Sequence, residues 1–318
     1  MGCPAVSVMT DAAKLVRGVS PVLAVPFTAD GAVDVEGFGH VVQRVLAAGV
    51  TSVMFPGFAS EFHKLNDDER TLLRDVLLDQ TRSRPDVAAI IAVQDHATYS
   101  AVRRAVDAVD AGADVINVLP PHFLSPSAAA VSEHIRSVLE AVAPTPVVFQ
   151  HAPSQTGSTL TAAAIAAIAN DHPNLRLVKV ESSPPGRLIA ALSEQRPAVP
   201  ALVGHAGVQL PDAVRRGAVG VQPGCSFTEI YVAVWSLLES GDKRSALDLH
   251  GRMLPYLSYW MQEIELMIAA EKLISVRRGW FGSAHCRAPA RQLDAEEVRM
   301  VDDFLLEFAE YLPDVGRA

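Results

Sequence analysis

Cysteine is scarce in this chain of 318 residues: Cys3, Cys225 and Cys286 lie far apart. They match neither a zinc-ligand spacing nor an even disulfide framework, so a reducing, cytoplasmic setting is expected. A surplus of basic charge is also lacking. With 27 basic against 36 acidic residues, and a formal net charge of -9, little is available for phosphate-backbone contacts, and no nucleic-acid partner is expected. No window resembles a membrane span, and the N-terminal MGCPAVSVMTDAAKLVRG has no basic region ahead of its short apolar stretch, so no membrane role is expected either. Low-complexity stretches are missing. What remains, 49% hydrophobic and 20% charged residues, suffices for a large core and excludes disorder as the chain's character.

From Arg17 onward, short β-rich apolar runs alternate with longer amphipathic segments, the pattern of parallel βα units. The runs fall near Ser20 to Val25, Ser52 to Phe55, Ala88 to Val93, Val115 to Val118, Pro146 to Gln150, Leu175 to Val180, Ala201 to Val203 and Gly220 to Gln222. Eight such units predict an α/β fold, a (β/α)₈ TIM barrel, whose usual size is about 250 residues with room for additions. Asn66 with Glu69 has the form of a capping box, Thr161 and Ser125 can cap the helices after them, and Gly49, Gly112 and Gly217 suit helix ends. Beyond about Ser240 the strand signals cease. Helices are predicted over Lys243 to Tyr256, Tyr259 to Arg277 and Asp294 to Tyr311. The expected organisation is a tail at 1–14, a catalytic barrel at 15–240 and a C-terminal helical extension at 241–318.

In this fold the chemistry sits at the C-terminal ends of the strands. Polar candidates there are Ser60 and Glu61, Asp95 and His96, His122, Gln150 and His151, Lys179 and Glu181, His205, and Gln222 with Ser226. Lys179 is the most informative. Period-two alternation places it on one face with Leu175 and Leu177, while Val178 and Val180 face the other way. With those valines toward the helices, Lys179 points into the barrel, where poor solvation of an ammonium favours the free amine that attacks carbonyl carbon. The bland alternative, a snorkelling or ion-paired lysine, is not removed by position alone.

A set of ordered motifs goes further: Val25-Pro26-Phe27; Gly57 with Glu61-Phe62, Leu65 and Glu69-Arg70; Gly112-Ala113-Asp114 before Val118-Leu119-Pro120-Pro121; Pro153-Ser154 with Thr156-Gly157; Val178-Lys179; Gly217 to Val221; and Arg287-Ala288-Pro289. Together they make the chain resemble the dihydrodipicolinate synthase and N-acetylneuraminate lyase family of class I aldolases, nearly end to end, as a divergent member. The resemblance implies that Lys179 condenses with a 2-oxo acid such as pyruvate. It implies that backbone amides around Gly57, Phe58 and Ala59 hold the substrate carboxylate, with Glu61 orienting that loop. No cofactor is implied, an aldehyde is the expected second substrate, and a homo-oligomer, dimer or tetramer, is expected.

The departures matter as much. Phe58 stands where the family usually has a threonine, Gln150 where it has the tyrosine of a YNxP element, and Gln155 where the synthases have a carboxylate-clamping arginine. A glutamine amide positions a carbonyl or water but moves no proton alone. Losing the bidentate donor argues against aspartate semialdehyde as partner, hence against the lysine-pathway synthase. The expected catalytic residues are therefore Lys179, His122 and Gln150, with Gly57, Phe58, Ala59, His151, Gln155, His205 and Gln222 binding substrate. Histidine suits the displaced proton work. Phe58 and Phe123 point to an apolar aldehyde.

Three other readings remain open at this level. One keeps the imine but eliminates water from a sugar-acid-like 2-oxo acid. Another is a barrel that binds ligand without turnover. A third makes His96, His205, Asp95 and Glu61 metal ligands, although they form no compact motif and leave Lys179 unexplained, and no metal is expected.

Overall fold

The computed structural model describes residues 16–315, so the tail expected at 1–14, with Cys3, lies outside the described residues. Eight parallel strands form one sheet: β1 (Gly18–Val19), β2 (Ser52–Phe55), β3 (Ala88–Val93), β4 (Val115–Val118), β5 (Val147–His151), β6 (Leu175–Val180), β7 (Ala201–Val203) and β8 (Gly220–Val221). Their order is β1-β8-β7-β6-β5-β4-β3-β2. The chain leaving β1 closes the ring, because Leu23 N–H donates to Met54 O at 2.9 Å and Met54 N–H donates to Pro21 O at 2.9 Å. The regular part of β1 is shorter than the predicted Ser20 to Val25 and starts earlier. Pro21 has no N–H to give, which breaks the ladder into separate bridges.

Each strand is followed by helix: α1 (Val35–Ala47), α2 (Asp67–Thr81), α3 (Thr98–Asp110), α4 (Ala128–Val142), the short α5 (Pro153–Thr156) with α6 (Ala162–Asp171), α7 (Pro185–Ser193), α8 (Leu210–Arg215) and α9 (Thr228–Ser240). The sequence signals for their ends are largely met. Asn66 and Glu69 cap α2 reciprocally, at 2.9 and 3.0 Å. Thr161 Oγ1 accepts from Ala164 N–H at the start of α6. Gly49, Gly112 and Gly217 all have positive φ. Ser125 is not a cap: Pro126 separates it from the helix, and Ser127, the residue directly before α4, accepts from Ala130 N–H instead.

Three further helices follow, α10 (Lys243–Trp260), α11 (Ile264–Arg277) and α12 (Ala295–Glu307). The break expected near Tyr256 falls at 261–263, since α10 runs on through Pro255. Asp294 and Glu297 cap α12 as predicted. No helix among the described residues is long and apolar enough to cross a membrane.

Alternation along the strands sorts two cores. Met54, Ala88, Ile90, Ala92, Val115, Val148, Leu177 and Leu202 pack inside the barrel. Val53, Phe55, Ile116, Phe149, Val178, Val180 and Val203 pack outward against the helices. Leu175 belongs to the outer set, contrary to strict alternation from Lys179, because the β5/β6 register shifts between Val147 and Val148. Leu177 keeps the expected face. The inward rows end in polar residues at the C-terminal rim, Asn117, Gln150, Lys179 and Gln222, all buried.

Candidate active site

Lys179 ends an inward row of β6, paired in register with Gln150 of β5 and Leu202 of β7. Its side chain is 4% exposed, with Nζ lying 3.3 Å from Glu181 Oε1. A polar chain runs from β4 across β5 to that carboxylate. Asn117 Nδ2 donates to Gln150 Oε1 at 3.0 Å, and Gln150 Nε2 donates to Glu181 Oε2 at 2.6 Å. Burial alone would raise the Glu181 pKa. The nearby Lys179 and His205 charges and the Gln150 hydrogen bond outweigh it and leave the group below the ordinary carboxylate value, hence ionised. Gly204 makes this possible, because a Cβ there would collide with the Glu181 side chain.

Lys179 and Glu181 open into a cavity at the C-terminal rim of the barrel. Phe58, Ala59, Gln155, His205 and Gln222 share its wall. Gln222 donates to Ser20 Oγ at 3.2 Å, leaving its own Oε1 buried and unpaired, as is Gln155 Oε1. Opposite the barrel rim stand Met261, Ile264, Met267 and Ile268, an apolar ceiling supplied by the end of α10 and by α11, with Glu271 among them.

The loop after β2 is a tight double turn. Ser60 N–H donates to Gly57 O and Glu61 N–H to Phe58 O, so the Phe58 and Ala59 amides, first in the turn, lie outside its own bonding. Gly57 is held to glycine by crowding: a Cβ would press on Val22 and Met54. Glu61 takes a left-handed φ of 52° and is fully buried. It pairs with Lys272 of α11, with Lys64 at 3.0 Å, and with the Arg287 N–H at 3.2 Å. Those bonds tie the loop after β2 to α11 and to the segment that follows it. Arg287 in turn reaches Glu69 and the carbonyls of Gly31 and Lys64.

Several expected site residues stand elsewhere. Gln150 sits behind Glu181, its amide oxygen bonded by Asn117 and its amide nitrogen bonded to Glu181, and does not line the cavity. His151 follows it in the strand and therefore faces outward, its Nε2 3.0 Å from Thr159 Oγ1. His122 packs at a tilt of 50° against His96, with ring centroids 4.2 Å apart, and lies perpendicular to Phe62, outside the cavity. Burial first, then the neighbouring His96 and His63, hold its pKa below the usual histidine value. The candidate metal set is dispersed as well. Asp95 pairs with Arg104, Glu61 with lysines, and among the described residues no group of three or more His, Cys, Asp or Glu could hold a metal ion.

A family model described as the Dihydrodipicolinate synthetase family matches residues 15–307. The 4-hydroxy-tetrahydrodipicolinate synthase of Chlorobium chlorochromatii is 29% identical over 292 residues, covering 91% of this chain and 96% of its own. A prophage protein of E. coli K12 from the dihydrodipicolinic acid synthase family, solved in complex with pyruvate, aligns at a TM-score of 0.84 and 25% identity, over 93% of this chain and 99% of that one. Dihydrodipicolinate synthase from Rhodopseudomonas palustris, 24% identical over 92% of this chain and 97% of its own, shares the fold at a TM-score of 0.83.

Proposed function

Because the chain belongs to the dihydrodipicolinate synthetase family, and so to the lyases of class I aldolase type, we propose that Lys179 forms an imine with pyruvate or another short 2-oxo acid and that the protein makes or breaks a carbon–carbon bond beside it. One observation carries this reading: a buried lysine at the C-terminal end of β6, facing a cavity with its Nζ 3.3 Å from the Glu181 carboxyl group. The imine, once protonated, draws electrons from the neighbouring carbon, which lets an enamine form and attack an aldehyde, or the reverse. The Phe58 and Ala59 amides would hold the 2-oxo acid carboxylate. Gln155, Gln222 and His205 would orient the remainder.

The second substrate is proposed to be an aldehyde with an apolar substituent, and the reaction to differ from that of the lysine-pathway synthase. Phe58 and the four apolar ceiling residues support this, as does Gln155, which offers no cation to a second carboxylate. A homo-oligomer belongs to the same proposal. It is supported by Phe123 and Leu124, exposed at 71% and 85% on the loop after β4. His122 and His151 are assigned no contact with substrate.

Reduction by borohydride after incubation with pyruvate, followed by peptide mass analysis, tests the reading. An adduct is expected on Lys179 and none in Lys179→Met. Failure of every member of a broad 2-oxo acid panel to label wild-type Lys179 would sink the imine scheme.

A further inference from the structure

Glu271 enters the cavity from α11, the element that covers the barrel mouth. It is 2% exposed, and its two oxygens differ. Oε2 accepts from Cys225 N–H at 3.1 Å, whereas Oε1 is buried with no partner. An orphaned carboxyl oxygen in an otherwise apolar ceiling is costly unless it serves a ligand or carries a proton. Room has been made for it: a Cβ on Gly224 would collide with the carboxyl group, as one on Gly204 would with Glu181. The cavity is thus built around two carboxyls, each admitted by a glycine.

The two are not equivalent. Both oxygens of Glu181 are engaged, by Lys179, by Gln150 and by the His205 N–H at 3.5 Å. Glu271 lines the same space with one oxygen that has no hydrogen-bond partner. The geometry points to Glu271 as the proton shuttle of the Lys179 imine, a part that neither Gln150, behind Glu181, nor His122 and His151, outside the cavity, is placed to play. This rests on the imine reading above and deepens it.

The steps balance as follows. The Lys179 amine adds to the carbonyl carbon of pyruvate, forming the C–N bond and, after proton transfer from nitrogen to oxygen, a neutral carbinolamine. The Glu271 acid then protonates the hydroxyl, the C–O bond breaks, and water leaves. The nitrogen lone pair closes the iminium, with Glu271 now a carboxylate. That carboxylate takes a proton from the methyl carbon, yielding the neutral enamine and restoring the acid. One proton makes a closed circuit, and no other co-reactant is required.

Protonation of Glu271 at neutral pH is consistent with its surroundings. Burial pushes its pKa up to about 7, and the nearby polar groups of Ser226 and Cys225 offset only part of that. The ionisable groups facing it are Lys179, Glu181 and His205 across the cavity, Cys225 after β8, Tyr231 of α9, and Arg278 just past α11. Cys225 and Tyr231 are themselves pushed up by burial, then by Glu271, and stay neutral in this range. Arg278 is occupied by Glu229 and by Ser226 O.

The test uses pyruvate alone as probe, in deuterated water. Wild type, Glu271→Gln and Glu271→Asp are compared for borohydride-trapped adduct on Lys179 after long incubation, and for the rate of deuterium entry into the pyruvate methyl group. Rates are expressed per trapped Lys179, which removes any misfolded fraction. Glu271→Gln is expected to reach wild-type labelling, because a shuttle changes rates and not the imine equilibrium. Its exchange should fall about a hundredfold or more. Wild-type exchange should decline as pH rises through about 7, a limb absent from Glu271→Gln and regained in Glu271→Asp. Normal labelling with exchange within threefold of wild type, and the same pH limb, overturns the assignment while leaving the imine intact. No labelling of wild-type protein overturns the imine reading and this one with it.

Discussion

A methyl group at Gly204, where φ is -96° and not in the left-handed region that favours glycine, would occupy the space now taken by the Glu181 side chain. Gly204→Ala therefore tests crowding rather than strain. It is expected to cost about 1–3 kcal/mol by overpacking and to move Glu181 off Lys179. Urea denaturation measures the first effect, and the yield of borohydride-trapped Lys179 measures the second. A stable variant with undiminished labelling would mean that Glu181 is dispensable for holding the lysine. At this scale the sequence was partly legible. Val178 and Val180 flanking Lys179 announce an inward lysine. The same rule separates Gln150 from His151, since adjacent strand residues cannot both face the barrel interior. Glu271 carried no such signal: it lies on a helix remote in sequence from every strand end, and only packing brings it over the cavity.

Among the elements, α11 is fastened to the β2 loop by buried charge. Lys272 contacts Glu61, donates to His285 O at 2.9 Å, and lies 4.1 Å from the centre of the Phe27 ring. Burial pulls the Lys272 pKa down, with Glu61 opposing, so this ammonium depends on its partner. Lys272→Met leaves Glu61 buried with Lys64 and one backbone N–H. A loss of about 3 kcal/mol is expected, the lower end for breaking a buried pair. Adding Glu61→Gln should recover part of it, because the stranded charge is then removed. Unfolding curves for the single and double variants check this, and an additive double variant would contradict the coupling. Element boundaries were well marked where chemistry marks them, at Asn66 and Asp294. They were misread where a proline intervenes, at Pro21, Pro126 and Pro255. The eight strands were countable because inward and outward rows are both apolar below the rim.

For the molecule as a whole, acid and base pull stability in opposite directions. His134, His151 and His250 have pKa values lowered by burial, so stability falls as pH drops below their ordinary value of 6.5. Glu271 acts the other way. Raised from 4.5 to about 7, it stays protonated in the fold while the unfolded chain ionises, so its contribution, full below 4.5, is lost as pH climbs to 7. These windows overlap, and only a difference separates them. The stability of wild type minus that of Glu271→Gln should decline by something on the order of 3 kcal/mol between pH 4.5 and 7 and then level off. Parallel denaturation series across that range provide the measurement, and a flat difference would show that Glu271 does not bind its proton in the fold.

The ceiling made by Met261, Ile264, Met267 and Ile268 belongs to a stretch of chain separate from the strands that carry Lys179, Glu181 and Gln222. Apart from Glu271, the reactive groups and the ceiling's share of substrate fit are accordingly written in different passages of the sequence. Exchanging those four side chains, with Glu271 and Lys272 left in place, would redraw the outline a substrate must match while the bond-making machinery stays as it is. A chain arranged in this way can change its diet without relearning its chemistry.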